Sequence, residues 1–463
     1  MPHGHQLLNE ASEMVALSTL GNTRNLVVTG AEVSGPLDVD ALRRAVAAAV
    51  NDFPQLGCCL RETRLRGRYY LAWHPRPDLQ FPVKIRKVSG KDPSTPVIDE
   101  FLRTIETDLE RDWDLFEELP GEFHVVSFSD VHHVLAPVIH HVAADAAVAS
   151  EFGKHVALKY LEIMTGVKPD STPPTLSLST SRKSKAHPGT RNWSDSVKSS
   201  AAAVRALTAK PTLPVGHGKK GDPGQYHVKR TLSSHDTEQI NLSCTRAEIR
   251  PVDLLVVAAN LALDKWNLDR NTARGLITTA MTVNMQGKYE GLQAPNTTSV
   301  LFFRSEPDER LDVREFARSV SAARTRKLRK HGDLEVRGNI STMTDILRFL
   351  PYAARRRLVH HVIQKHQFSI SVTMLGVVWP ILVDGKSTDN SYLLRVNETE
   401  VTEIHGVGYK LLSSTPLTLI VYVYLNRLNL VMATAASLFT RDEAEAFMDK
   451  ILETISELTR KLS

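Results

Sequence analysis

Residues 123–148 read FHVVSFSDVHHVLAPVIHHVAADAAV, and the spacing of their apolar residues decides how this part of the chain folds. Two apolar runs, 123–128 and 131–139, are separated by the polar pair Ser129-Asp130, which predicts two strands joined as a β-hairpin. Beyond Asp145 the apolar residues return at helical spacing as far as Met164. The stretch therefore predicts a hairpin, a loop at 140–146 and a helix.

Helical and strand patterns alternate along the rest of the chain. Further helices are predicted at 39–51, 235–243, 251–266, 311–330 and 440–462, and further strands at 275–283, 299–304, 368–372, 418–425 and 428–433. The last helix begins with Thr440 as N-cap and Glu443 three residues later, which is the pattern of a capping box. Because strands and helices are mixed in both halves, the sequence predicts an α/β fold.

A polar segment divides the chain. Residues 171–226 are rich in Pro, Ser, Thr, Lys and Gly, a composition that buries little surface and is typical of a linker. A short helix is predicted within it at 194–209. The sequence thus predicts an N-terminal lobe at 1–170 and a C-terminal lobe at 227–463.

The composition is that of a folded, reduced protein. Hydrophobic residues make up 42% of the 463 positions and charged residues 24%, which argues against a disordered chain and favours two or three compact units. Three cysteines, Cys58, Cys59 and Cys244, supply neither a disulfide framework nor the four ligands of a structural zinc site. A reducing compartment is therefore expected.

Neither end of the chain predicts an export signal or a membrane span. The N-terminus has no basic start followed by an apolar run. The longest apolar stretch, 416–439, is interrupted by Asn426, Arg427 and Asn429, which argues against a membrane span. We expect a cytoplasmic protein, and a monomer, since two lobes of one chain can form a channel between them.

The positive charge lies mainly in the linker. Net charge is +5, but residues 1–170 carry 17 basic and 24 acidic side chains, whereas residues 171–230 carry 11 and 2. This distribution argues against nucleic-acid binding, which needs basic residues on a folded face. A second basic run, 324–330, ends the helix predicted at 311–330. We interpret this basic run preferentially as a solvated helix end. The alternative interpretation is a docking patch for an anionic partner such as a nucleotide phosphate or an acidic carrier protein.

One histidine pair stands out among the 18 histidines. Of the three adjacent pairs, only His140-His141 is followed, four positions after its second member, by an acidic residue, Asp145, giving HHxxxD. Histidine can accept a proton from a hydroxyl or amine at neutral pH, because its unperturbed pKa is about 6.5. Strand alternation sends the two rings in opposite directions, so only one can face a given channel.

These residues receive different roles. We assign general-base catalysis to His141 and a packing role to His140, while Asp145 organises the turn. For the pairs 132–133 and 360–361, we weigh an interpretation as ordinary core or surface histidines at least equally with a functional one. A metal site is not predicted, because HHxxxD lacks the helical i, i+4 histidine pair and no third ligand cluster stands out.

The HHxxxD motif and its surroundings resemble the condensation-domain superfamily, which includes nonribosomal peptide condensation domains, alcohol acyltransferases and wax ester synthases. Four further stretches look like family elements and occur in the family's order: GPLDVDALRRAV (35–46) with FPQL (53–56), DWDL (112–115), NTTSVLFFR (296–304), and 417–439. Each stretch is short, and the shared order over nearly the whole chain carries the resemblance.

The resemblance implies a fold and an activity. Two chloramphenicol-acetyltransferase-like lobes would form a V-shaped pseudo-dimer with an inter-lobe channel that admits an acyl donor and an acceptor. His141 would be the general base and Asp145 the structural aspartate. The donor would be an acyl-CoA or a phosphopantetheinyl carrier thioester, the acceptor a hydroxyl or amine, and an acyl or peptidyl carrier protein a partner. No bound cofactor or metal is implied.

Three positions depart from the family pattern. Ala146 stands where a glycine is usual, and Gln286 stands where an arginine commonly pairs with the motif aspartate, with Lys288 or Arg274 as substitutes. In SVTMLG (371–376), Met374 replaces a frequent asparagine beside Thr373, a further candidate channel position. These departures keep a second hypothesis open: a divergent member that binds a carrier protein or acyl metabolite without turnover.

Overall fold

The computed structural model describes residues 6–19, 24–88, 95–168, 210–222, 224–284, 296, 298–329, 343–365, 368–379, 382–383, 386–387, 395–409 and 416–463. The helix predicted at 194–209 and most of the predicted linker lie outside these residues. The last part of that linker, 210–222, is bound to the second lobe: Thr212 N donates to Leu276 O (2.7 Å) and Trp266 Nε1 donates to Val215 O (2.7 Å).

The first lobe is built on a six-stranded sheet. In spatial order its strands are β14 (Arg395–Val396), β15 (Thr399–Tyr409), β2 (Leu26–Ser34), β7 (His132–His140), β6 (Gly121–Ser129) and β5 (Val83–Lys87). All neighbours are antiparallel except β5 and β6. The predicted hairpin is confirmed, because β6 and β7 pair directly across the polar break.

Five α-helices lie within the described residues of this half of the chain. They are α1 (Glu10–Ser18), α2 (Val39–Asp52), α3 (Val97–Thr104), α4 (Glu106–Glu110) and α5 (Ala146–Thr165). Helices α2 and α5 pack against each other, and α2 starts where the Asp38 side chain accepts from Ala41 N (2.8 Å). A small sheet of β1 (Gln6–Leu7), β4 (Arg68–Pro75) and β3 (Cys58–Leu65), which the sequence analysis did not predict, completes the lobe.

The second lobe repeats this plan. Its six strands, in spatial order, are β10 (Thr298–Ser305), β9 (Ile277–Asn284), β11 (Ile370–Val377), β16 (Leu417–Tyr424), β17 (Arg427–Ala435) and β8 (Gln225–Thr231). Its helices are α6 (Ser234–Arg246), α7 (Pro251–Leu268), α8 (Val313–Arg329), α9 (Tyr352–Lys365) and α10 (Arg441–Leu462), and a short hairpin pairs β12 (Leu382–Val383) with β13 (Lys386–Ser387). The predicted capping box of α10 is present.

The apolar stretch 416–439 forms the antiparallel pair of strands β16 and β17. Both are central strands with almost every residue buried, which explains their continuous hydrophobicity. Within the described part of the chain, no helix combines the length and the hydropathy needed to cross a bilayer.

A crossover strand joins the lobes. Although residues 399–409 fall within the predicted C-terminal lobe, β15 pairs along its whole length with β2 of the first lobe. From the second lobe, Tyr422 donates its hydroxyl to Ile404 O (2.6 Å) and Tyr424 donates to Val401 O (3.0 Å). The strand escaped prediction because a bulge at 401–403 breaks its apolar alternation.

Candidate active site

The HHxxxD motif forms the tight connection between a buried strand and a long helix. Strand β7 ends at His140 and helix α5 begins at Ala146. The backbone N–H of His141 donates to Asn25 O (2.6 Å), and that of Ala143 donates to His140 O (2.9 Å). These backbone bonds hold the connection in a single path.

Asp145 caps the helix and also binds the second lobe. Its Oδ1 accepts from Val148 N (3.0 Å), which is an N-cap interaction. Its Oδ2 accepts from the Thr298 hydroxyl (2.8 Å) at the first residue of β10. The carboxylate is 2% exposed, so it organises both the turn and a contact between the lobes.

Three residues were candidate partners for Asp145, and among them only Arg274 lies within the described residues. Gln286 and Lys288 lie outside the described residues. Arg274 precedes the first residue of β9, whereas Thr282, which lies near the candidate site, is close to the other end of that strand. Arg274 lines a separate cavity with Asp264, so as a substitute partner it was predicted wrongly.

His140 is a buried, neutral residue. Its ring is completely buried; Nδ1 accepts from Val142 N (3.2 Å), and Nε2 lies 3.3 Å from the Thr19 hydroxyl. The Thr19 hydroxyl donates to Val15 O, so Nε2–H of His140 is the donor to Thr19. Burial, together with the neighbouring His141, lowers the pKa of His140 to about 3. The uncharged ring of His140 therefore supports the loop.

His141 is oriented by an asparagine of the second lobe. Asn296 Oδ1 lies 3.2 Å from His141 Nδ1, while Asn296 Nδ2 donates to His141 O (2.7 Å), Val142 O (2.9 Å) and Ser12 Oγ (2.9 Å). Because Nδ2 faces three acceptors, Oδ1 must accept from the ring, and Nδ1 carries the proton. The lone pair then lies on Nε2, which can accept a proton from a substrate.

A cavity of about 110 Å³ lies between the lobes beside this ring. Its walls come from β2, the HHxxxD connection, β9, β10, β11, β15 and β16; they include His141, Asp145, Ala146, Ala147, Thr282, Thr298, Thr373, Met374, Thr418 and Ile420. Three of the predicted site residues, His141, Asp145 and Thr373, are thus brought to one cavity. Gln286 lies outside the described residues.

Ala146 and Met374, the other two positions that depart from the family pattern, lie within the described residues. Ala146 is the first residue of α5 and has ordinary helical backbone, so the position does not require glycine. Met374 lies in the cavity wall next to Thr373. It presents an apolar side chain where an asparagine would present an amide.

Asn296 and Thr298 were not identified as site residues from the sequence. Both stand in the polar start, Asn-Thr-Thr, of an otherwise apolar strand, and that polarity is the signal that singles them out. Asn296 is 155 residues from His141 along the chain. The contact arises only through the packing of the two lobes.

Within the described residues, two groups of side chains have metal-ligand chemistry, and each already contacts a lysine. Glu32, Glu403 and His405 form one group, but Lys229 Nζ bonds to Glu403 and lies 3.2 Å from His405 Nδ1. The other group comprises Asp108, Glu122 and His124. Lys84 Nζ lies 2.6 Å from Asp108 and 2.7 Å from Glu122 in that group. Both arrangements favour ion-pair clusters over metal sites.

The histidine pair 132–133 makes local contacts of a structural kind. His132 Nε2 lies 2.9 Å from Glu32 Oε1, and His133 Nδ1 lies 2.8 Å from the Ser127 hydroxyl. Burial lowers the pKa of His133. Neither ring lines the cavity beside His141.

No protein-family model matches this sequence, and no curated protein matches it. Solved structures do match. The first condensation domain of the calcium-dependent antibiotic synthetase, in complex with substrate analogue 3a, has a TM-score of 0.72 at 15% identity, with 99% of this chain and 97% of that chain covered. SgcC5 from Streptomyces globisporus, in complex with (R)-(-)-1-(2-naphthyl)-1,2-ethanediol and sucrose, has a TM-score of 0.62 at 12% identity, with 98% and 99% covered.

The X-domain from teicoplanin biosynthesis, in complex with OxyB, has a TM-score of 0.63 at 13% identity, with 99% of this chain and 94% of that chain covered. At such identities the likeness establishes the fold. The predicted two-lobed α/β architecture is therefore confirmed, and it is the fold of these solved condensation domains.

Proposed function

We propose that this protein is an acyltransferase of the condensation type, which moves an acyl group from a CoA or carrier-protein thioester to a hydroxyl or amine. One observation carries the proposal: the ring of His141, oriented through Nδ1 by Asn296, lines a cavity between the lobes. A base fixed in its tautomer next to an open space is what general-base acyl transfer requires.

The chemistry follows from the tautomer. Nε2 of His141 accepts the proton of the acceptor O–H or N–H as that oxygen or nitrogen attacks the thioester carbonyl. The tetrahedral intermediate then collapses, its C–S bond breaks, and the thiolate takes the proton back from Nε2. Throughout, Nδ1–H remains bonded to Asn296 Oδ1, so the ring is held in place in both protonation states.

The cavity also supplies groups that suit a developing negative charge. Residues Ala146 and Ala147 place the first turn of the 20-residue helix α5 at the cavity wall, where the positive end of the helix dipole lies. Thr282, Thr373 and Thr418 also line it, and their hydroxyls are potential donors, whereas the hydroxyls of Thr29 and Thr298 already donate to Ala149 O and Asp145 Oδ2. We assign the carbonyl oxygen of the thioester to this side of the cavity.

An exposed apolar surface supports a carrier protein as donor. Within eight residues, Met343, Ile346, Phe349 and Leu350 are each at least 40% exposed. The Arg68 guanidinium lies 4.7 Å from the centre of the Phe349 ring, and the β3–β4 hairpin that carries Arg68 also carries Arg64 and Arg66. Among the described residues these arginines form no ion pair, and an apolar patch beside them fits an acidic protein partner.

We name this surface, Met343, Ile346, Phe349, Leu350 and the hairpin arginines, the 343–350 patch. The three buried free thiols fit a reducing compartment, and we propose a cytoplasmic location on that ground.

A second function, binding without turnover, is favoured by Met374. Its apolar side chain in the cavity wall removes a polar contact beside the base. The X-domain complex with OxyB shows that a protein of this fold forms a complex with another protein. In this alternative the cavity would hold an acyl group and the 343–350 patch would hold its carrier.

Mass spectrometry of small-molecule products distinguishes the two functions. The purified chain is incubated with acyl-CoA and acyl-carrier thioesters, each with a panel of alcohols and amines. We expect an acylated acceptor from the wild type and from the His235→Ala control, whose histidine is exposed on α6, and none from His141→Ala. Full turnover by folded His141→Ala would remove the base assignment. Saturable thioester binding without transfer to any acceptor would support the second function.

A further inference from the structure

An open groove of about 500 Å³ lies on the second lobe, between helix α8 and the connection from α6 to α7. Three arginines, Arg318, Arg326 and Arg329, line its α8 side. Glu248 and Ile249 line the other side. We call this feature the arginine groove; it shares no lining residue with the cavity at His141.

The arginines of the groove differ from the other arginines on the same helix. Arg314 donates to Lys461 O (2.9 Å), and Arg324 donates to the buried Asp253 carboxylate (2.6 Å). Arg318, Arg326 and Arg329 are exposed, and within the described residues none of them bonds to a carboxylate. Three guanidinium groups that face one groove and bond to no carboxylate among the described residues form a site for an anion with several phosphate oxygens.

The residues of the wall opposite α8 indicate which kind of anion the groove can bind. Glu248 has a left-handed backbone (φ 57°) and follows the last turn of α6, where its N–H donates to Thr245 O (3.2 Å). A carboxylate would repel a bare phosphate, but it can accept hydrogen bonds from the hydroxyls of a ribose. On the same wall, the half-buried Ala247 and the edge of Ile249, which is 7% exposed, offer apolar surface for a flat base. Arginines, a carboxylate and apolar side chains together match the three parts of a nucleotide.

We propose that the arginine groove binds a nucleotide that carries at least two phosphate groups. The phosphates bond to Arg318, Arg326 and Arg329, the ribose bonds to Glu248, and the base lies against Ile249. This site is separate from the cavity of the proposed transfer reaction, and its occupancy does not require that reaction. The nucleotide part of coenzyme A and a free nucleoside diphosphate share this chemistry.

Isothermal titration of the full chain with ADP, coenzyme A, pyrophosphate and adenosine tests the proposal. We expect saturable binding of ADP and coenzyme A, weaker binding of pyrophosphate, and none of adenosine. Arg326→Gln combined with Arg329→Gln should weaken ADP binding by about tenfold or more, because charge-assisted hydrogen bonds are lost. Arg314→Gln, on the same helix but outside the groove, should leave the affinity unchanged.

The measured affinities distinguish coenzyme A from a free nucleotide as the ligand, and they also show whether the proposal fails. Tighter binding of coenzyme A than of ADP would assign the groove to a coenzyme A thioester, and the reverse order to a free nucleotide. Unchanged ADP affinity in the double variant, or equal binding of adenosine and ADP, would overturn the proposal. So would the lack of saturable binding up to millimolar ligand. None of these readouts depends on acyl transfer.

Discussion

Asn296 Oδ1 lies 3.2 Å from Nδ1 of His141, and the same side chain donates to the backbone oxygen of His141 (2.7 Å). The asparagine comes from the second lobe and the histidine from the first. The ring orientation of the proposed base therefore depends on the contact between the lobes, and not on the HHxxxD segment alone.

Replacement of Asn296 by alanine should impair catalysis while leaving substrate binding largely intact. We expect kcat to fall by about 10²-fold, because the ring loses its orientation, with little change in KM. Ser12→Ala removes only one acceptor of the Asn296 amide (2.9 Å) and serves as the control. Wild-type kcat in folded Asn296→Ala would contradict this role.

Asp145 should contribute to stability through two separable bonds. Asp145→Ala removes the N-cap of α5 and the bond from Thr298, so we expect a loss of about 1–2 kcal/mol in the free energy of unfolding. Asp145→Ser keeps a capping oxygen and should recover part of that loss. Thr298→Val removes the inter-lobe bond alone. Urea unfolding of the three variants measures these differences, and equal stability of Asp145→Ala and the wild type would refute the assignment.

The 343–350 patch should matter for a carrier-bound donor only. Phe349→Ser removes a ring that is 60% exposed, so its effect on folding should be small. We expect a several-fold rise in KM for an acyl-carrier donor and no change in KM for the same acyl group on coenzyme A. Leu311→Ser, at an apolar position that is 64% exposed elsewhere on the second lobe, is the matched control. An equal effect on both donors would count against a docking role.

The parts of the fold that could be predicted are those whose apolar spacing is regular. Strands β6 and β7 and helix α5 follow from 123–164 because each buries one continuous face or run. The β15 strand could not be predicted, since its alternation is broken by a bulge and its partner β2 lies hundreds of residues earlier. The same limit applies to the site. His141 and Asp145 share one short motif, whereas Asn296 and Thr298 reach them only after the two lobes have packed.

His227 should make the protein less stable in acid. The residue is 7% exposed, and burial, together with the nearby Arg441 charge, lowers its pKa to about 4. Below its usual pKa of 6.5 the unfolded chain therefore binds the proton more readily, and stability falls as pH decreases from about 6.5 towards 4. Between about pH 7 and pH 5, the free energy of unfolding should fall by about 2 kcal/mol less in His227→Gln than in the wild type. Urea unfolding at both pH values, with His235→Gln as the exposed control, measures this; identical losses would exclude His227 as the source.

A buried charge cluster should dominate the attachment of α9 to the first lobe. Arg348 Nε donates to Glu13 Oε2 (2.9 Å), Arg355 also bonds to Glu13, and both Glu13 and Arg355 are completely buried. Glu13→Ala leaves two guanidinium groups without their shared carboxylate, so we expect a loss of about 3–5 kcal/mol in the free energy of unfolding. Asp40→Ala breaks only the exposed pair with Arg43 (3.2 Å) and should cost less than about 1 kcal/mol. If calorimetry and urea unfolding gave the two variants equal stability, the cluster would not be what holds α9 against α1.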